Sequence, residues 1–343
     1  MLSCRLNEFG CGVGVSMRRR DFIVLAAGAA ALRPPMLHAQ PAPKIPRIGV
    51  LLPGTPESFA LRTGAFIDGL KELGYVEGKT ILIDWKWGQD RIQTLPELAA
   101  ELLRSKSDVI VTGGTAAAQA LKAATSTIPI VMAIIGDPVA AGLVGNLARP
   151  AGNLTGFSIV APELGGKRLE LLKEIVPGLT SVAVLLNNRN PQSQIELKEM
   201  RNAADAMGLQ LHPVEISTEV GLEQAFGAID KAAAQALVVL TDPILFSQRK
   251  RTVDLANKNR LPAMYFFQGF VEEGGLISYG PGDADLFRRS AGYVDRILKG
   301  ARPGDLPIEQ PVRFELFINL KTARMLGVMI PESFLLRADK VIE

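Results

Sequence analysis

Val109-Ile110-Val111-Thr112-Gly113-Gly114-Thr115-Ala116-Ala117-Ala118-Gln119-Ala120-Leu121-Lys122-Ala123-Ala124, followed by Ile130-Val131-Met132-Ala133-Ile134 and then Gly136-Asp137-Pro138, contains one full unit of the fold. A short apolar run meets a glycine pair, an alanine-rich helical segment follows, and a second apolar run ends in an Asx-Pro step. Strands that lack polar alternation are covered on both faces, which is the pattern of a parallel sheet wrapped by helices. The same rhythm extends in both directions. Strands are predicted at 47–52, 80–85, 109–112, 130–134, 181–186, 209–214, 236–240 and 275–279. Helical periodicity fills 59–73, 95–103, 116–124, 164–176, 195–207, 220–234 and 286–298. The fold class expected is α/β, with two doubly wound parallel-sheet lobes.

The connections agree with that reading. Asp137-Pro138, Asn190-Pro191 and Asp242-Pro243 each close an apolar run. The Asx side chain can cap free N–H groups while proline takes the first helical position, where its missing N–H costs nothing. Gly74 and Gly208 stand where helices should end. One lobe is expected from 44–157 with about 275–303, and the other from 158–274 with about 304–343. The crossings are placed near 155–163 and 269–275.

Residues 1–39 read as a twin-arginine export leader. Arg18-Arg19-Arg20-Asp21-Phe22 precedes the apolar run 23–32, which is too short to span a bilayer, and Leu37-His38-Ala39 offers a cleavage site near Ala39. Met17 directly precedes the arginines and is a candidate start. The mature chain is therefore expected in the periplasm, with no stable membrane insertion. The leader holds five arginines and two acids, or +3, which is the whole of the chain's formal charge, so the mature part is neutral. Binding to nucleic acid or to an anionic membrane needs a basic surface that this part lacks. Both cysteines, Cys4 and Cys11, also fall in the leader, so neither a disulfide nor a lipid-bearing cysteine is expected later. The remaining 343 − 39 = 304 residues are ample for two lobes, and a monomer is expected.

Catalytic signatures are sparse. The mature part has one histidine, His212, inside a predicted strand, so a His-rich metal site and Cys-His chemistry are excluded. No G-x-S-x-G elbow occurs, and no spacing marks out a carboxylate pair. Gly78-Lys79-Thr80 follows a helix and opens a strand, the reverse of a phosphate loop, and Leu73 stands where such a loop needs glycine. Pro53-Gly54-Thr55-Pro56 replaces a dinucleotide fingerprint after the first strand. Gln248-Arg249-Lys250-Arg251 reads as the solvated face of a helix. No catalytic residue, metal or cofactor is expected.

What remains is a set of binding groups. Ligands of such lobes sit at strand carboxyl ends beside helix N-termini, so facing lobes form a cleft. Its loops are 53–58, 113–117, 136–139, 187–193, 241–245 and 265–270. Gly114, Thr115 and Ala116 open a helix whose free N–H groups suit a carboxylate, or form a plain glycine-rich cap. Asp137 and Asp242 either cap helices or take an ammonium group. Tyr265, Phe266 and Phe267 follow a strand, one ring to stack on a ligand and the others to fill core. Trp85 and Trp87 are assigned to core or rim. Thr55, Asn187, Ser193 and Thr241 complete the candidate ligand-binding set.

The chain resembles the ABC-transporter substrate-binding protein family that includes tryptophan- and tyrosine-binding members, built on the type I periplasmic binding fold. Asp137-Pro138-Val139 with Gly142-Leu143-Val144, the run from Arg149-Pro150-Ala151-Gly152 to Gly156, and Gly274-Gly275-Leu276-Ile277-Ser278-Tyr279-Gly280 carry the likeness. The C-terminal stretches 297–307 and 314–323 are its most specific part. The resemblance implies a receptor that closes on a small molecule, an amino acid or similar carboxylate, and delivers it to a membrane permease with a separate ATPase. It places Thr115, Asp137, Asn187, Thr241, Asp242 and Tyr265 in ligand-contacting loops. A secreted α/β enzyme using carboxylates, or a ligand-sensing subunit for a membrane receptor, are the rival expectations.

Overall fold

A computed structural model of the chain describes residues 45–159, 161–216 and 221–343. The expected leader, with its arginines, both cysteines and Ala39, lies outside the described residues. Among the described residues no helix is long and apolar enough to cross a membrane.

Two sheets form the two lobes. The first holds β1 (Arg47–Leu52), β2 (Leu82–Trp87), β3 (Val109–Gly113), β4 (Ile130–Ile135) and β5 (Leu154–Ser158), all parallel, in the order β2-β1-β3-β4-β5. The second holds β6 (Ser181–Asn187), β7 (Gln210–Ile216), β8 (Ala236–Val239), β9 (Ala263–Tyr265), β10 (Ile277–Pro281), β11 (Phe314–Asn319) and β12 (Lys340–Ile342). Its order is β12-β11-β10-β9-β8-β6-β7, parallel except for the antiparallel pair β10 and β11. Strands β3, β4 and β8 are buried along their whole length, as their unbroken apolar sequences require.

Helices cover both faces: α1 (Ala60–Glu72), α2 (Leu95–Arg104), α3 (Thr115–Ala124), α4 (Ala161–Ile175), α5 (Pro191–Met207), α6 (Gly221–Lys231), α7 (Pro243–Ser247), α8 (Arg249–Lys258), α9 (Gln268–Glu272), α10 (Asp283–Leu298), α11 (Leu320–Leu326) and α12 (Glu332–Leu335). The basic run 248–251 falls on α8 as expected. Asn190 caps α5 through Gln192 N–H at 3.1 Å, and Asp242 caps α7 through Leu245 N–H at 2.9 Å. Asp137 receives Val139 and Ala140 N–H, each at 2.9 Å, but opens a turn instead of a helix.

The lobe boundaries differ from expectation in two places. Strand β10, assigned from sequence to the first lobe, pairs with β9 and β11 in the second sheet. The chain returns to the first lobe only at α10, which packs on α1, β4 and β5. An apolar run buried on both faces carries no mark of which sheet it joins, so the pattern could not place it. The last crossing also comes later than 304. Ile308 N–H still bonds Leu147 C=O and Glu309 N–H bonds Gly156 C=O, so residues up to 309 line the edge of the first sheet. Strand β5 occupies part of the expected crossing at 155–163. Its middle residue is Gly156 at φ +129°, where a Cβ would stand 2.2 Å from Met132 C=O, so only glycine fits and the strand signal is weak.

Candidate functional site

The carboxyl ends of β1, β3 and β4 face those of β6, β8 and β9, and the loops that follow them enclose a cavity of about 50 Å³. Its apolar wall combines Phe59, Ile134, Ile135 and Ile159 of the first lobe with Pro243, Phe246, Phe266 and Phe267 of the second. Phe246 meets Phe267 edge-on at 6.0 Å, and Phe266 meets Phe267 at 4.9 Å. The polar wall consists of Arg62 and Thr115 on one side, and Asn190, Gln192, Thr241 and Asp242 on the other.

Arg62 is the charged group that sequence reasoning missed. It sits on the apolar stripe of α1 with Phe66, Gly69 and Leu70, and is only 3% exposed. Its Nε donates to Asp283 Oδ2 at 2.6 Å, and Nη2 lies 2.6 Å from the same oxygen without hydrogen-bond alignment. The guanidinium lies 3.8 Å above the Phe246 ring and about 5 Å from Phe59 and Phe267. Burial pushes the Arg62 pKa down, and Asp283 opposes that shift. Gln192 was missed as well: it stands two residues beyond the Asn190 cap, in the first turn of α5.

Asp242 accepts three hydrogen bonds: its Oδ2 takes Asn187 Nδ2 at 3.0 Å and Asn190 Nδ2 at 2.9 Å, and its Oδ1 takes Leu245 N–H at 2.9 Å. Burial raises its pKa against the pull of those donors. Thr241 is held from behind by Glu196, which accepts Thr241 N–H at 3.0 Å. Glu196 in turn pairs with Arg168 at 2.6 Å, and Arg168 Nε donates to Tyr279 C=O at 2.9 Å. Desolvation pushes Glu196 up and Arg168 down, and the pairing opposes both.

The structure gathers Gly114, Thr115, Thr241 and Asp242 of the candidate set at this cavity, and places Ala116 in the wall of a smaller neighbouring one. The others stand aside. Tyr265 is fully buried and stacks on Phe270 at 4.6 Å, so Phe266 and Phe267 supply the rings that reach the cavity. Asn187 and Ser193 are buried behind it, Asn187 serving Asp242. Asp137 caps its turn, and Thr55 is engaged with Ser58 through Thr55 N–H at 3.0 Å and Ser58 N–H at 3.2 Å. Trp85 and Trp87 stack on each other at 5.8 Å and pack against the core.

Three contacts bridge the lobes around the cavity. Asp137 N–H donates to Gln192 Oε1 at 3.0 Å, Ser247 Oγ donates to Asp90 Oδ2 at 2.8 Å, and Arg62 lies over Phe246. Gly136 allows the first of these, because a Cβ there would meet Gln192 Cδ at 2.0 Å.

Two α/β lobes around a cavity walled by strand-end loops of both define a type I solute-binding protein. The chain belongs to the ABC transporter substrate binding protein family, whose pattern it matches over residues 47–342. It is 30% identical over 263 residues to the tyrosine-binding protein of Clostridioides difficile, an alignment that covers 77% of this chain and 75% of that one. An ABC domain from Streptococcus pneumoniae in complex with L-Trp matches with a TM-score of 0.81 at 29% identity, over 87% of this chain and 99% of that one. A ligand-free, open substrate binding protein with adhesive properties from Clostridium difficile matches with a TM-score of 0.62 at 26% identity, over 87% and 99%. The family is one of binding proteins, not enzymes.

Proposed function

We propose that this chain is the exported solute-capturing component of an ABC import system, and that it closes on an aromatic amino acid or a similar carboxylate. The observation that carries this reading is the cavity: four phenylalanine rings, two buried polar atoms without hydrogen bonds, Thr115 Oγ1 and Gln192 Nε2, and the Arg62 guanidinium paired with Asp283 converge between two lobes. Tyrosine and L-Trp, named for two relatives, supply rings that fit such a wall. The leader read from the sequence supports a periplasmic location, and family membership supports a membrane permease with a separate ATPase as the partner.

The mechanism is differential stabilisation. Loops of both lobes wall the cavity, so the lobes must part for a ligand to enter. The better match to an L-Trp complex than to an open, ligand-free relative supports reading this arrangement as the closed one. Hinges would lie where the chain crosses between sheets: after β5, between β10 and α10, and at 310–313. A ligand that touches both lobes adds contacts only in the closed form and shifts the population toward it.

Thermal unfolding of protein freed of ligand by denaturation and refolding, against a panel of amino acids and small carboxylates, tests this. A ligand at a hundred times its Kd adds about 2.7 kcal/mol and raises the midpoint by a few degrees. A saturable shift confined to aromatic compounds is expected. A flat response across the aromatic panel removes the ligand class.

A further inference from the structure

We infer that the cavity recognises its ligand by a carboxylate end and makes no use of an ammonium group, so that it is a receptor for aromatic carboxylates in general, of which the aromatic amino acids are one kind. This rests on the reading of the cavity as the ligand site, and it concerns which end of the ligand is held.

Buried polar groups as a rule have a partner, and those that line the cavity without one can serve a ligand. Among the described side chains lining the cavity, the polar atoms without a hydrogen-bond partner are Arg62 Nη2, Thr115 Oγ1 and Gln192 Nε2. Each of the three residues is 3% exposed or less. Two of these atoms are donors only, and the hydroxyl can be one. The orientation of Gln192 follows from its neighbour: Asp137 N–H must face an oxygen, so the amide NH₂ faces the cavity. Thr115 also opens α3, a ten-residue helix, whose first N–H groups add donors on the same side.

Acceptors are missing to the same degree. Among the described residues, the only acid in the cavity wall is Asp242. Both of its oxygens are engaged, Oδ2 by Asn187 and Asn190 and Oδ1 by Leu245 N–H, and the residue is 1% exposed. Asn190 is likewise spent: its Nδ2 serves Asp242 and its Oδ1 accepts Gln192 N–H. An ammonium entering here would have to displace the N-cap of α7. A carboxylate finds Gln192 Nε2 and Thr115 Oγ1 free, beside an Arg62 nitrogen that Asp283 engages as an ion pair without an aligned hydrogen bond. The Arg62–Asp283 pair is neutral as a whole, so the preference arises from donor geometry more than from net charge.

Matched half-ligands test this on the refolded protein by titration calorimetry: L-tryptophan, indole-3-propionate, which lacks the ammonium, and tryptamine, which lacks the carboxylate. Indole-3-propionate is expected to bind within about tenfold of L-tryptophan, and tryptamine about a hundredfold more weakly or worse, the scale of losing hydrogen bonds to a charged group. Gln192→Ala should weaken L-tryptophan and indole-3-propionate by the same factor, about tenfold. Binding of L-tryptophan without indole-3-propionate, or of tryptamine on a par with L-tryptophan, overturns the inference while the aromatic site stands. If none of the three binds, and L-tyrosine with its two half-ligands is equally silent, the reading of the cavity fails and the inference with it.

Discussion

Among the described residues two arginines are buried, and they are buried differently. Arg168 sits inside the second lobe at 1% exposure, with Glu196 at 2.6 Å and Tyr279 C=O at 2.9 Å, and no part of it lines the cavity. Arg62 is almost as deeply buried, yet its guanidinium lies under phenylalanine rings of the opposite lobe, and one nitrogen faces Asp283 without an aligned hydrogen bond. A completed pair holds structure in place, here the Thr241 loop through Glu196. An incomplete pair in a cavity wall is a group held ready for something that arrives. Burial alone does not separate the two roles; leftover hydrogen-bonding capacity does.

The largest expected effect sharpens this contrast on the structural side. Arg168→Met leaves Glu196 buried without its counter-charge, and a loss of about 3–5 kcal/mol in urea denaturation is expected. Replacing both, Arg168→Met with Glu196→Leu, should recover most of it, because a well-packed apolar pair replaces a buried ion pair at little cost. An unchanged midpoint in the single variant would show that the pair contributes nothing.

On the other side, Arg62→Met combined with Asp283→Asn avoids an orphaned charge and should fold, but weaken binding of an aromatic carboxylate about a hundredfold. Equal affinity in this variant and the unaltered protein would erase the distinction between the arginines. Between these lies Gly136→Ala. Its new Cβ would displace Gln192 from Asp137 N–H, and the loss of one bridging hydrogen bond predicts affinity about tenfold lower with the unfolding midpoint nearly unchanged.

Much of the architecture was legible because the evidence for it is local. Runs such as 109–113 and 181–187 are apolar on both faces, and a parallel sheet follows from that. The Asx-Pro steps announced their caps, and Asn190 and Asp242 perform that role. The loop that brings Gly114 and Thr115 to the cavity was legible for the same reason. What escaped depends on long-range placement. Strand β10 could not reveal which sheet it joins, and Tyr265 could not show that its ring turns into the core while Phe267 turns out. Arg62 left a signal in the sequence: a charge on the stripe otherwise made by Phe59, Phe66 and Leu70, where the next turns of the helix are apolar. Its partner Asp283 lies 221 residues away, so the reason for that charge appears only in the folded chain.

The smallest effect belongs to an exposed pair that serves as control. Arg313 donates to Asp339 at 2.7 Å and is 73% exposed, so Arg313→Ala should cost about 1 kcal/mol or less. Arg313 and Leu316 N–H hold the Asp339 carboxyl below its ordinary 3.8. A depressed folded value means that its contribution is present above 3.8 and is lost as pH falls through the lower folded value, so the arginine variant should flatten the acid limb of stability slightly. A large loss at neutral pH would contradict the ranking of buried above exposed pairs.

The central claim is that leftover donors around Arg62 hold the ligand's carboxylate, and the most direct measurement is the dissociation constant of L-tryptophan or L-tyrosine, whichever binds, for two double variants side by side. Arg168→Met/Glu196→Leu, which frees Thr241 N–H at the cavity wall, should bind no more than about tenfold more weakly than the unaltered protein, and Arg62→Met/Asp283→Asn about a hundredfold more weakly. Equal affinities in the two variants, or the greater loss in the Arg168 variant, would contradict the account.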